Sequence, residues 1–193
     1  MEKLFTNAVA GRLHWELEGE ENVLAKKHGL SLISQRFINP KTAISDEYTF
    51  CTKEPGVTVV PILSDGNLVI TRQFKQGSGK VFWEFPAGQL PKGGLSDDQA
   101  VAELKEESGL TAGKMVELGI ASAGGPRKNK THEYLFVALN CSISEPKPDP
   151  DEILEVFKIS PGELWELIRT ADGSLSAYSE MAFMRAVDRG FVR

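Results

Sequence analysis

The chain has 193 residues, 41% of them hydrophobic and 25% charged, and a formal net charge of −5. That balance is the balance of ordinary globular proteins, long enough here for one domain with a sizeable core and an appended N-terminal part. The negative charge argues against general nucleic-acid binding, and no apolar run approaches membrane-spanning length. Cys51 and Cys141 are too few and too isolated for a disulfide framework or a zinc site, and read as buried thiols in a reducing cytoplasm.

Residues 1–54 predict a β-rich region. Short amphipathic strands are expected at Arg12–Leu17, Leu30–Ile38 and Ala43–Cys51, with a charged connection over Glu18–Lys27. Residues 55–193 read as the main domain. Gly56–Leu63 and Leu68–Phe74 are strands flanking Ser64-Asp65-Gly66-Asn67, a hairpin signal. Ser96–Leu110 is helix-sized: Ser96 with Gln99 forms a capping box, Asp97 and Asp98 suit the first turn, and Gly109 suits the C-terminal stop. Strands follow at Met115–Ala121, Glu133–Asn140 and Ile153–Ile159. Two helices close the chain, one opened by the capping box Ser160/Glu163 with Pro161 at its first position, the other over Ser176–Asp188 and ended by Gly190. Strands mixed with helices, without strict βαβ alternation, predict an α/β fold in which helices cover both faces of a mixed sheet.

The helix over 96–110 carries Glu103, Glu106 and Glu107 on one face, while Ala100, Val101 and Leu104 form its apolar stripe. Like charges at this spacing repel by roughly 0.2–0.5 kcal/mol per pair, and negative charge near a helix C-terminus opposes the macrodipole. On the helix alone, a solvated acidic face explains the pattern as well as a site for a hard, oxygen-liganded divalent cation.

The segment before the helix separates these readings. Gly88 to Leu110 resembles the signature of the Nudix hydrolases, G-x5-E-x7-R-E-U-x-E-E-x-G-U, where U is bulky and aliphatic. Gly88, Glu103, Leu104, Glu106, Glu107, Gly109 and Leu110 fall in register, whereas Gly94 and Ala102 replace the first glutamate and the arginine. Trp83–Gly88 (WEFPAG) and Arg72–Lys75 (RQFK) are similar to segments of the ADP-ribose pyrophosphatase branch. The resemblance covers about Gly56 to Leu167 and implies a Nudix-type α/β/α sandwich.

It also implies a site. Glu103 and Glu107 match the family's metal ligands, the backbone carbonyl of Ala87 is a third, and Glu106 is a further ligand or a water-positioning group. The ion implied is magnesium, with manganese the alternative, because octahedral oxygen coordination leaves room for substrate phosphates. In the run KPDPDEILEVF, Asp151, Glu152 and Glu155 lie where similar enzymes carry the general base, and Glu152 at the loop edge is the one selected. Arg72, Lys75 and Glu84 are substrate-facing candidates, joined by Arg127 in the basic, glycine-rich loop Gly124–Tyr134. His132 and the tryptophans Trp15, Trp83 and Trp165 are read as packing residues first.

The activity implied is hydrolysis of the diphosphate bond of ADP-ribose or a related nucleoside diphosphate sugar, by a cytoplasmic homodimer with no nucleic-acid or membrane partner. In the family the missing arginine braces the metal-binding carboxylates, and a lysine does not replace its planar fork. Ala102 therefore motivates an alternative, a catalytically weakened Nudix domain that senses a nucleotide or sugar nucleotide.

Overall fold

A computed structural model describes residues 1–8, 13–122, 125–144, 152–170 and 173–193. Asp151, the start of the first expected strand at Arg12 and most of the acidic run before Glu152 lie outside the described residues. The chain divides into two compact units, one made of residues 1–53 with 124–131, the other of 54–123 with 132–193.

The N-terminal unit is a four-stranded sheet in the order β1 (Glu16–Lys27), β2 (Leu30–Ile38), β3 (Ser45–Thr52) and β10 (Asn129–Lys130). The first three strands are antiparallel neighbours, and β10 runs parallel to β3. The stretch expected as a charged connection is instead strand β1. It pairs with β2 from Glu16↔Ile38 to Lys27↔Leu30 with two register shifts. His28 and Gly29 join the strands with φ of 47° and 74°, the double positive φ that a tight hairpin turn needs. The alternation that would betray β1 in the sequence is missing because every one of its residues is exposed.

In the second unit the sheet order is β12 (Leu154–Ile159), β5 (Leu68–Lys75), β4 (Gly56–Leu63), β11 (Glu133–Ile143), β8 (Leu110–Thr111). Strands β6 (Lys80–Glu84), β7 (Ala87–Gln89) and β9 (Lys114–Ala121) pair with β5, β4 and β11 respectively. Central strands β4 and β11 are parallel, and their other pairings are antiparallel, so the sheet is mixed.

Alternation along β4 sorts its side chains to two cores. Val60 and Ile62, with Leu68, Ile70, Leu135 and Val137, pack under α2 (Pro161–Thr170) and α3 (Ala177–Asp188) through Leu164, Ala182, Phe183 and Ala186. Val57 and Val59, with Val69, Phe136 and Ala138, pack under α1 (Ser96–Ser108) through Ala100 and Leu104. Helices thus cover both faces, which is the expected α/β/α arrangement.

Local signals decide the helix ends. Ser160 and Glu163 form the expected capping box, the Glu163 N–H donating to Ser160 Oγ at 3.2 Å and the Ser160 N–H to Glu163 Oε2 at 2.8 Å. Gly109 ends α1 at φ 65°. The Ser96/Gln99 box does not form: Ser96 is already helical, Leu95 is the N-cap, and no side chain caps the end. A box places its partner three residues after the cap, so Gln99 stands one position too far along.

Leu104 is fully buried and anchors α1 to the sheet. Leu104→Ala is expected to cost about 2–5 kcal/mol of unfolding free energy. Urea denaturation measures it, and a loss below 1 kcal/mol would mean that α1 is held elsewhere.

Candidate active site

Three pieces of backbone bring carboxylates together beneath α1. Strand β5 contributes Thr71, Gln73 and Lys75 to the α1 side, because Val69 on the same alternation belongs to the α1 core. Strand β6 ends in Glu84, which pairs with Thr71 across the ladder and is 7% exposed. Strand β7 then delivers Ala87 and Gly88, and α1 presents Glu103 and Glu107 one turn apart.

Glu107 is 1% exposed. Its Oε2 accepts the Ala87 N–H at 3.0 Å, and Gln73 Nε2 lies 3.5 Å from its Oε1. Burial pushes its pKa up to about 8, against the opposing pull of the Ala87 N–H, and the neighbouring carboxylates Glu103, Glu84 and Glu152 push in the same direction. Glu84 Oε1 accepts from Gln73 Nε2 at 2.7 Å and pairs with the Lys75 ammonium. Glu103 Oε1 accepts from Gln99 Nε2 at 2.7 Å. The Glu103 carboxylate occupies the space a side chain on Gly88 would take, so a larger residue there would push the carboxylate aside.

Ala87 stands opposite Thr58 on β4, and the adjoining ladder bond runs from the Val59 N–H to the Pro86 carbonyl at 2.9 Å. In an extended strand the N–H and C=O of one residue lie on the same side. The Ala87 carbonyl is therefore directed with its N–H, toward Glu107 rather than toward β4.

The donor chemistry is wholly oxygen, half-buried and over-rich in negative charge, which fits a hard divalent cation. Among the described residues no three acidic, histidine or cysteine side chains already stand as a closed coordination set. Glu103, Glu107 and the Ala87 carbonyl are neighbouring oxygen donors that a cation could draw together.

Other sequence candidates fall elsewhere. Arg72 lies on the opposite face of β5: its guanidinium stacks 5.2 Å from the Trp83 ring centroid and bonds Glu155 Oε2 at 2.9 Å. Strand alternation puts it there, in a stack that also engages Glu155. Glu106 is exposed and makes no hydrogen bond or ion pair among the described residues. His132 packs edge-on to Tyr134 with centroids 5.0 Å apart. Gly94 closes a turn with its N–H on the Pro91 carbonyl at 2.8 Å, and a side chain there would strike the Pro91 ring at 2.7 Å.

The N-terminal unit has its own cleft of about 530 Å³, lined by Trp15, Phe37, Tyr48, Phe50, Arg127 and Lys130 among others. Tyr48 meets Trp15 and Phe37 edge-on at 6.0 and 5.8 Å. Arg127 belongs to this cleft. Two residues near the carboxylates escape sequence reading, Gln73 and Gln99. The available signals are positional: Gln73 is two residues before Lys75 on one strand face, and Gln99 is four before Glu103 on a helix.

Glu107 makes stability depend on pH. Its folded pKa of about 8 exceeds the ordinary 4.5, so the folded chain holds this proton more tightly than the unfolded one. The resulting stabilisation is complete below pH 4.5 and is lost as pH rises toward about 8. The urea midpoint of the metal-free protein should fall across that window, and Glu107→Gln should flatten the slope. An unchanged slope in the variant would assign the effect to another group.

A sequence profile described as "NUDIX domain" matches residues 52–179. The chain is 30% identical over 123 residues to the ADP-ribose pyrophosphatase of Bacillus subtilis (strain 168), covering 62% of this chain and 66% of that protein. It is 29% identical over 118 residues to the ADP-sugar pyrophosphatase of Mus musculus, covering 56% and 54%. A methanol dehydrogenase activator of Bacillus methanolicus is 28% identical over 119 residues, covering 61% and 64%. The chain thus spans between 54% and 66% of the length of these curated relatives. Among solved structures, an ADP compounds hydrolase superposes with a TM-score of 0.76 at 20% identity, covering 92% of this chain and 97% of that one, a likeness of fold. With the profile spanning about two thirds of the sequence, and with the glutamates, glycines and α/β/α layers in register, this chain belongs to the NUDIX domain family.

Proposed function

We propose that this chain is a divalent-metal-dependent pyrophosphohydrolase that cleaves the diphosphate bond of ADP-ribose or a related nucleoside diphosphate sugar, releasing nucleoside monophosphate and sugar phosphate. The observation that carries the reading is the buried, proton-retaining Glu107 over the Ala87–Gly88 turn, with Glu103, Glu84 and Glu152 as its neighbours. A cluster that disfavours its own ionisation this strongly is matched to a cation that relieves it.

Glu103, Glu107 and the Ala87 carbonyl hold the ion in this reading, with magnesium favoured and manganese the alternative. Bound there, the ion neutralises phosphate oxygens and lowers the pKa of water. Binding requires Glu107 to surrender its proton, so ion uptake is coupled to pH. Glu152 stands within electrostatic reach of Glu107 and is the general base that takes the proton of the attacking water. Glu106, exposed on α1, is free to orient that water or to ligate through it. Lys75 supplies positive charge to a diphosphate oxygen once it leaves Glu84.

The aromatic cleft of the N-terminal unit, with Arg127 and Lys130 at its wall, offers stacking faces for a base and cations for a phosphate. Exposed Leu17, Val23, Leu24, Leu30 and Leu32 on β1 and β2 support assembly as a homodimer through this unit. Two free cysteines, one of them buried, suit a cytoplasmic setting. No helix among the described residues is long and apolar enough to cross a membrane. Ala102 keeps a second reading alive, a nucleotide or sugar-nucleotide sensor with little turnover.

The test is hydrolysis of ADP-ribose, GDP-mannose, UDP-glucose and a diadenosine polyphosphate, with and without magnesium. Cleavage of a nucleoside diphosphate sugar only with metal is expected, and Glu107→Gln should lower kcat/KM by at least about 100-fold, roughly 2.7 kcal/mol. Turnover that survives a chelator, or Glu107→Gln at full rate, would sink the reading. Ligand binding without turnover would establish the sensor instead.

A further inference from the structure

This chain has Ala102 where the Nudix signature has an arginine, and α1 carries no arginine beside its carboxylates. The carboxylates are left to be aimed by something else. Arg72 is occupied on the opposite face of the sheet by Glu155 and the Trp83 ring, and Lys75 pairs with Glu84.

We propose that two glutamine amides, Gln99 on Glu103 and Gln73 between Glu84 and Glu107, are positioning residues that hold these carboxylates for the metal in place of the missing arginine. The inference rests on the metal-dependent reading above.

The geometry of each amide favours this role. Gln99 sits one helical turn before Glu103, the spacing at which side chains meet, and its Nε2 is 2.7 Å from Glu103 Oε1. It is available because Leu95, not Ser96, is the N-cap, so the side chain is not drawn back to the helix start. The Gly88 turn lies against the same carboxylate, which fills the space a side chain there would take. Gln73 projects from β5 onto the α1 face, with Nε2 2.7 Å from Glu84 Oε1 and 3.5 Å from Glu107 Oε1. An amide nitrogen has two hydrogens, so one group can serve both oxygens. A carboxylate oxygen accepts, so the Gln99 amide presents its nitrogen to Glu103 and the Gln73 amide its nitrogen to Glu84.

An amide differs from arginine in one respect that matters here. It fixes direction without supplying charge, so the cluster keeps the full negative charge for the incoming cation.

The test is Mn²⁺ binding to the full chain, followed by electron paramagnetic resonance, together with the metal dependence of hydrolysis. Gln99→Met and Gln73→Met delete the donor at nearly constant volume, and methionine has glutamine's helix propensity at position 99. Each should weaken Mn²⁺ binding by about 10–100-fold, the usual effect of removing a group that orients a ligand. The apparent KM for the metal should rise accordingly, with kcat at saturating metal falling less than about threefold.

A methionine variant that binds Mn²⁺ within twofold of wild type overturns the assignment for that residue. Wild type that binds no Mn²⁺ overturns this inference and the hydrolase reading together. Wild type that binds Mn²⁺ but hydrolyses nothing sinks the hydrolase reading alone, since the brace is read from binding.

Discussion

The buried contact between Glu107 and the Ala87 N–H ties helix α1 to strand β7, and the rest of the site depends on it. A carboxyl that is 1% exposed tolerates burial only with a donor or a proton, and Glu107 has a use for both. The contact sets the depth at which α1 sits on the sheet, with Ala100 and Leu104 packed against Val57, Val59 and Phe136. Beside it, Glu103 lies against the Gly88 turn, in the space a side chain there would take. Packing and chemistry are therefore one constraint: the face of α1 that anchors the helix also delivers its carboxylates into a water-poor, negatively charged place.

Strand alternation along β5 assigns the second layer. Thr71, Gln73 and Lys75 face α1, whereas Arg72 faces the α2/α3 side and lies over Trp83 and Phe157. Four consecutive residues, Arg72 to Lys75, thus divide between two tasks. Gln73 and Lys75 meet Glu84 beside the carboxylates, while Arg72 bonds Glu155 and stiffens the sheet edge where β12 joins β5.

Much of the fold is legible residue by residue. The strands over Gly56–Leu63 and Leu68–Lys75, the capping box of α2 and the glycine stop of α1 announce themselves through local chemistry that tertiary contacts leave intact. Strand β1 is illegible for the opposite reason. All twelve of its residues are exposed, so no burial pattern marks it, and only its ladder with β2 makes it a strand. The Ser96/Gln99 box misleads because a capping signal names a residue pattern and not the residue at which the helix begins.

Legible without a structure are the central strands and the three helices of residues 55–193, the placement of three glutamates on one helix after a glycine turn, and the two departures at Gly94 and Ala102. These are properties of spacing and residue type, which need no distant partner. Which glutamate is sealed from water, and that Gln73 and Gln99 meet the carboxylates, emerge only from contacts in three dimensions. Such facts arise from burial and from contacts between β5, β6, β7 and α1, elements separated along the chain, and a carboxylate's proton affinity depends on what surrounds it in space rather than in sequence.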